Sequence, residues 1–354
     1  MIYAPIVIPT LCRYEHFVRC IESLKKNIWA EHTDVYIALD FPKKESHWDG
    51  YRKIKEYLQG DFSEFHSFTV FERKKNYGTS KNSTQLTKEC LKHHDRYIYS
   101  DDDIEFSPNF IQYMDICLER YEKDDSVVAV TGYSYPVDWE VAEGCTVVKQ
   151  NFICSSWGRG FWRNKRKRIR RYLKHFGLSR DFSRAFKSNH FSLMLDPAVI
   201  EYSSVVTDGQ ASHKSLLNCT SDVAMRIYLA VKGKYVIMPT VTKARNHGFD
   251  GSGEYCQGVN FCETEKYSAN NYPFNLQPMD SALVFECIED SSFDISANRK
   301  LLNDFENADP RVLESALATA AEFSAKPKWY SMFLVGTRMV LRLWDRIKRL
   351  LHIG

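Results

Sequence analysis

The 354-residue sequence has no Cys-x-x-Cys pair, no apolar run long enough to cross a bilayer, and no glycine-rich loop after its first β-prone stretch. Each absence excludes something. Ten cysteines without regular spacing argue against a zinc ribbon or a disulfide framework, so reduced thiols in a cytosolic protein are expected. A transmembrane helix needs about 20 apolar residues in a row, and none is present. The opening MIYAPIVIPTL has neither a basic n-region nor a small-residue cleavage site, so it reads as a first strand and not as a signal peptide. A formal net charge of +3 is too small to argue for nucleic acid. What the chain does have is a globular composition, 44% hydrophobic and 26% charged, with length for one large domain or two modest ones. Nothing in it sets an oligomeric state.

Strand and helix patterns alternate from the start. Residues 2–8 form a continuous β-branched run, the pattern of a strand buried on both faces of a parallel sheet, and Pro9 and Thr10 end it. From Tyr14 the period lengthens, with Phe17, Cys20, Ile21, Leu24 and Ile28 on one helical face. Residues 35–39 read as a second strand ending in Asp40. A helix carrying Trp48, Tyr51, Ile54 and Leu58 inward follows, then a strand at 68–71, a helix at 83–91 and a strand at 96–100. A helix at 109–122 and a strand at 127–131 continue the alternation. Such alternation builds a doubly wound α/β sheet, whose ligands bind at the carboxyl ends of its strands. Arg13, Asp40 and Asp101–Asp102–Asp103 all lie just past such ends and are expected to share one crevice.

Three adjacent carboxylates at the end of a buried strand repel one another and lose hydration, so a cation or several donors must compensate them. Hard divalent ions such as Mg²⁺ and Mn²⁺ accept carboxylate oxygens and bridge to substrate phosphates. An acidic turn capping the helix after Pro108 would account for the same residues.

Later stretches carry fewer constraints. NFICSSWGRGFW, rich in small residues and tryptophan, suggests a loop lining a pocket, and RNKRKRIRRYLKHF is read as an exposed basic helix, solvated or facing an anionic surface. CTSDVAMRIYLAVK reads as a helix with Asp222 in its first turn, where capping is one role open to it. KWYSMFLVGTRMVLRLWDRIKRLLHI combines an apolar face with arginines on another side. That arrangement suits a helix in a membrane interface, where each cation near anionic lipid is worth about 1 kcal/mol, or a helix docked on protein.

With these motifs in place the first 260 or so residues resemble nucleotide-sugar glycosyltransferases of the GT-A fold. The likeness is to the broad family 2 enzymes and, in several motifs, to the group containing N-acetylglucosaminyltransferase I. The resemblance implies a Rossmann-like, mostly parallel sheet flanked by helices, with a C-terminal helical extension. Its implied domains are a catalytic domain at 1–265 (donor half 1–133, acceptor half 134–265), a peripheral extension at 266–325 and a basic amphipathic helix at 326–354. PIVIPTLCRYEHFVRCIESL matches the family's first strand and the arginine-bearing segment after it, placing Pro9, Thr10 and Arg13 near the nucleotide. VYIALD supplies Asp40 at the position that meets uracil, and KNYGTSKN supplies Asn76 and Lys81 on the phosphate side. DDDIEFSPNF matches the family's Glu-Asp-Asp motif with aspartate for glutamate, which makes Asp103 the metal ligand and sets Asp101 and Asp102 on the nucleotide sugar. SSWGRGFW resembles the loop beside donor sugar and acceptor, with Trp157 and Gly158. Asp222 falls at the position of the catalytic base, and His247 lies where some of these enzymes place a histidine on metal or phosphate and others have none.

By this resemblance the chain is expected to use Mn²⁺ or Mg²⁺ and a nucleoside diphosphate sugar, a UDP-sugar first. The expected acceptor is a glycan or lipid-linked oligosaccharide in surface polysaccharide synthesis, and the expected location is cytoplasmic, peripheral on the inner face of the membrane. A sugar nucleotidyltransferase is the nearest rival, but PTLCRYEH lacks the glycines that let backbone N–H groups approach phosphate. A phosphatase would carry paired aspartates after its first strand, and a non-catalytic membrane-associated binding protein would give Asp40, Asp103 and Asp222 no common purpose. Truncation after Ala325 is predicted to shift protein from membrane to soluble fractions; unchanged vesicle binding would remove the membrane role of the last helix.

Overall fold

The computed structural model describes residues 1–134, 143–150, 154–178, 225, 228, 229, 232–248, 250, 252, 253, 279, 280 and 287–289. Strand β1 (Ile6–Thr10) is buried along its whole length, as its β-branched run requires. Helix α1 (Tyr14–Lys25) packs Phe17, Cys20, Ile21 and Leu24 inward. Ile28, expected on that face, lies beyond the helix and is 46% exposed. Asn27 is the cause: its amide folds back onto the Ser23 carbonyl at 2.9 Å while its Oδ1 accepts the N–H of Ile111 at 2.9 Å, so the chain turns away.

The alternation continues through β2 (Asp34–Leu39), α2 (Trp48–Tyr57), β3 (Ser67–Glu72), α3 (Thr79–Cys90) and β4 (Arg96–Tyr99). Next come β5 (Ile104–Phe106), α4 (Phe110–Arg120), β6 (Val127–Thr131), β7 (Cys145–Gln150), β8 (Arg159–Trp162) and α5 (Arg163–Leu178). Strands β9 (Tyr235–Pro239), β10 (Ala244–Asn246) and β11 (Cys287–Glu289) complete the described elements. Nine of the described strands form one sheet in the order β11-β7-β9-β6-β8-β4-β1-β2-β3, and β5 and β10 pair in a small second sheet. Strand β1 runs parallel to β2 and β4, β2 to β3, β6 to β9 and β7 to β11. Only β8 against β4 and β6, and β7 against β9, are antiparallel in the large sheet. This mostly parallel, helix-flanked sheet is the expected α/β fold. Because the chain fills β1-β2-β3 outward and then returns to place β4 on the other side of β1, the topological switch point falls between β1 and β4.

The chain divides into two compact units, 1–166 with 235–293, and 167–234 with 294–354. The expected C-terminal helix at 326–354 lies outside the described residues. Among those described, no helix is long and apolar enough to cross a membrane.

Two readings of the sequence are corrected. The tail of SSWGRGFW is not a loop but β8, buried in the middle of the sheet. A Cβ on Gly160 would come within 2.9 Å of Met114 and 3.1 Å of Leu118, so glycine here serves the close approach of α4 to the sheet. Nor is the basic helix exposed all round. Lys165 is 2% exposed, and its ammonium donates to the carbonyls of Tyr121, Asp124 and Val127 at 2.7–2.8 Å while lying 3.8 Å from the Trp162 ring centroid. A cation near the carboxyl end of α4 meets the negative end of that helix dipole.

Asp115, in the middle of α4, is fully buried. Its Oδ1 accepts the Ala4 N–H at 2.8 Å, and its Oδ2 has no partner. Burial pushes the carboxyl up to about 7, against the pull of that N–H and of Arg96. An unfolded aspartate titrates near 3.8, so between the two values the folded chain keeps a proton that the unfolded chain has lost. This term favours folding at acid pH, weakens as pH rises through that window and is level above it. Asp115→Asn, which keeps the acceptor and removes the charge, is predicted to raise the melting temperature by several degrees at pH 8 and by progressively less as pH falls toward 4. Thermal melts across that range check it, and parallel pH profiles for the two proteins would refute it.

Candidate active site

Parallel strands end together, and here three of them deliver polar residues to one rim. Thr10 at the end of β1 pairs with Leu39 of β2, and Val7 pairs with Tyr99 of β4. The Asp40 N–H donates to the Thr10 carbonyl at 2.9 Å, and the Ser100 N–H to that of Val7 at 3.1 Å. Asp40 and the aspartates after β4 therefore flank Thr10 on either side.

Asp40 is 3% exposed and thoroughly compensated. Its Oδ1 accepts the N–H groups of Phe41 at 2.9 Å and Tyr77 at 2.8 Å. Its Oδ2 accepts the Gly78 N–H at 2.8 Å and the Asn76 amide at 3.4 Å, and Asn76 also donates to the Phe41 carbonyl at 2.7 Å. Gly78, at φ +75°, makes the turn that presents these N–H groups and starts α3.

The acidic triplet is compensated less completely. Asp101 Oδ1 accepts the Tyr99 hydroxyl at 2.6 Å. Burial, with the charges of Asp103 and Asp102, still holds the Asp101 carboxyl up at about 7. Asp102 accepts the Thr10 hydroxyl at 2.7 Å on Oδ2 and Arg13 Nη2 on Oδ1. Arg13 Nη1 reaches Asp103 Oδ2 at 2.7 Å. Burial raises the Asp103 carboxyl even against the pull of Arg13, and its Oδ1 is buried without a hydrogen-bond partner.

Strands β5 and β10 bring a second segment to the triplet, pairing Asn246 with Ile104. The His247 N–H donates to the Asp103 carbonyl at 2.9 Å, and its ring Nε2 lies 2.8 Å from Glu105 Oε2. A Cβ on Gly248 would lie 2.2 Å from Asp103 Oδ2, so this position must lack one.

Of the residues singled out in the sequence, Pro9, Thr10, Arg13, Asp40, Asn76, Asp101 and Asp102 line one cleft of about 390 Å³. Asp103 adjoins it through Arg13. Lys81 instead places its ammonium 4.5 Å from the Tyr77 ring centroid, outside the cleft lining. Trp157 and Gly158 are also outside that lining. They immediately precede Arg159, the partner of Tyr99, and Trp157 meets the Tyr133 ring edge-on at 4.4 Å. Asp222 lies outside the described residues. Sequence reasoning missed Lys43, Lys44 and His47, which also line the cleft. Their signal was available in FPKKESH, two cations directly behind a strand's acidic end.

Among the described residues no three or more His, Cys, Asp or Glu side chains converge on one point. A cation with few protein ligands and several from substrate phosphate is the habit of Mg²⁺ and Mn²⁺, and the partnerless carboxylate oxygen of Asp103 fits it.

The mostly parallel, helix-flanked sheet with its cleft at the switch point is consistent with the GT-A fold. The sequence profile of glycosyl transferase family 2 matches residues 6–202, more than half of the chain, and the chain belongs to that family. No curated protein sequence matches it. Among solved structures it is similar to S. aureus TarS, at 11% identity and a TM-score of 0.28 over 40% of this chain and 24% of that one. It thus spans about a quarter of TarS. A second TarS structure, of residues 1–349, aligns at 12% identity and a TM-score of 0.29 over 40% of this chain and 39% of that one. The mannosyltransferase PcManGT from Pyrobaculum calidifontis, in complex with GDP-Man and Mn²⁺, aligns at 12% identity and a TM-score of 0.37, over 99% of this chain and 83% of that one.

Asp40→Ala strands the N–H groups of Phe41, Tyr77 and Gly78, and is predicted to cost about 2–4 kcal/mol of stability. Chemical denaturation measures it; a loss below about 1 kcal/mol would show that the loop finds other partners.

Proposed function

We propose that the chain transfers a sugar from a nucleoside diphosphate sugar, a UDP-sugar first, to a glycan or lipid-linked acceptor, with inversion at the anomeric carbon. One observation carries the reading: the cleft at the switch point is bounded by carboxylates that this chain's own cations and donors compensate only in part, with Asp103 Oδ1 buried and partnerless. In this reading Asp103 holds Mn²⁺ or Mg²⁺, and Asp101 and Asp102 contact the sugar nucleotide. Arg13, Pro9, Thr10, Asp40 and Asn76 form the nucleotide side. The motif likeness to the N-acetylglucosaminyltransferase I group would assign Lys81 and His247 to phosphate or metal, and Trp157 and Gly158 to donor sugar and acceptor, all four outside the cleft lining.

The reaction breaks the bond between the anomeric carbon and a phosphate oxygen and forms one to the acceptor oxygen. Asp103 would hold the divalent cation, which when bound would supply Lewis-acid stabilisation of the leaving diphosphate. Asp222 takes the proton of the acceptor hydroxyl as it attacks, a contribution of about 10²–10⁴ in rate. Attack on the face opposite the leaving group gives inversion. The basic amphipathic segment at 326–354 places the enzyme on the inner face of the membrane, where lipid-linked acceptors of surface polysaccharide synthesis are available.

Asp103→Asn and Asp222→Asn are each predicted to nearly abolish transfer, and only Asp103→Asn to weaken Mn²⁺-dependent nucleotide binding. UDP-, GDP- and dTDP-sugars are screened for Mn²⁺-dependent binding and slow hydrolysis. Silence across that panel would sink the reading, and full activity of the Asp222 variant would remove it as the base.

A further inference from the structure

Arg13 stands directly before α1, its carbonyl accepting the Phe17 N–H at 2.9 Å, so its backbone is fixed while its long side chain is not. The guanidinium holds Asp103 Oδ2 with Nη1 at 2.7 Å and Asp102 Oδ1 with Nη2. A planar fork can satisfy two carboxylates at once in a way a lysine ammonium does not. Its side chain is 20% exposed, against 8% and 11% for the two acids, and it lines the cleft. It therefore reaches both the acids behind it and any anion in front of it.

We infer that Arg13 is a resident counter-cation of the acidic cluster: it holds Asp102 and Asp103 in the donor-free protein, competes with a divalent cation for them, and releases them when a nucleoside diphosphate offers it another anion. This rests on the donor-site reading above. Among the described residues Arg13 is the one cation ion-paired with the triplet, which leaves the cluster short of direct compensation. Asp103 cannot give both oxygens to a metal while Arg13 keeps Oδ2. A metal arriving alone must break the Nη1 contact with Asp103 and sit beside a guanidinium still held by Asp102, a cost in lost pairing and like-charge repulsion that offsets part of its gain. When a diphosphate occupies the same cleft, Arg13 exchanges one anion for another and that cost disappears. Metal and nucleotide then favour each other by the same factor in either order of addition, because the coupling is a property of the cycle. Arg13 is in this sense a positioning residue for the cation site, acting by withdrawal.

The test is Mn²⁺ titration of the full chain, followed by the electron paramagnetic resonance signal of free Mn²⁺, with and without UDP, GDP or dTDP. The wild-type protein is expected to bind Mn²⁺ weakly alone and about tenfold or more tightly with the matching diphosphate. Arg13→Met, which keeps the aliphatic stem, is expected to bind Mn²⁺ alone about tenfold more tightly than wild type and to gain less from nucleotide than wild type does, since only phosphate ligation of the metal then couples the two. Its metal-free melting temperature is expected to fall and Mn²⁺ to restore it, a response that simple loss of packing would not give. Arg13→Lys, with a charge but no fork, falls between the two and serves if the methionine variant does not fold. Wild-type binding of Mn²⁺ with nucleotide, together with no gain in the Arg13 variants, would overturn this inference alone. Failure of wild type to bind Mn²⁺ with any of the three diphosphates would overturn the donor-site reading as well.

Discussion

Parallel strands that end side by side bring their last polar residues into one crevice of low dielectric, and this chain places four aspartates there. Their charge is the constraint to which the surrounding structure answers. Two kinds of answer are visible. Asp40 receives three backbone N–H groups and an amide, a complete set of donors that makes it part of the frame. The triplet receives a threonine, a tyrosine and one shared guanidinium, which leaves an oxygen of Asp103 without a partner.

The small β5/β10 sheet makes sense in the same terms. Antiparallel pairing of Asn246 with Ile104 returns a distant segment to the triplet, where the His247 N–H caps the Asp103 carbonyl. The next residue passes so close to the Asp103 carboxylate that any side chain would collide with it. Glycine here answers a steric demand imposed by the acid, and the Glu105 carboxylate holds the neighbouring histidine ring on the other side.

The first 131 residues were legible in the sequence because apolar runs and helical faces there report burial directly: β1, α1, β2, α4 and β6 lie close to where periodicity places them. Placing them also placed Thr10, Arg13, Asp40 and the triplet, since residues just past parallel strands must converge. Strand β8 was not legible. It is four residues long, carries a glycine and an arginine, and is held by pairing with β4 and β6, contacts that no local pattern announces. Lys165 was misread for a related reason. Composition marks a lysine as solvent-facing, and only the fold reveals three carbonyls waiting at the end of α4. Lys43 and Lys44 were passed over because exposed lysines are ordinary until a cleft is found beside them.

The latch formed by Asp40 has an entropic consequence. Residues 76–78 are tied to the end of β2 by the folded chain itself. The wall they form thus exists before any ligand arrives, and its conformational entropy is spent during folding and not on encounter. Whatever enters this end of the cleft therefore meets a wall that does not have to be ordered on its arrival.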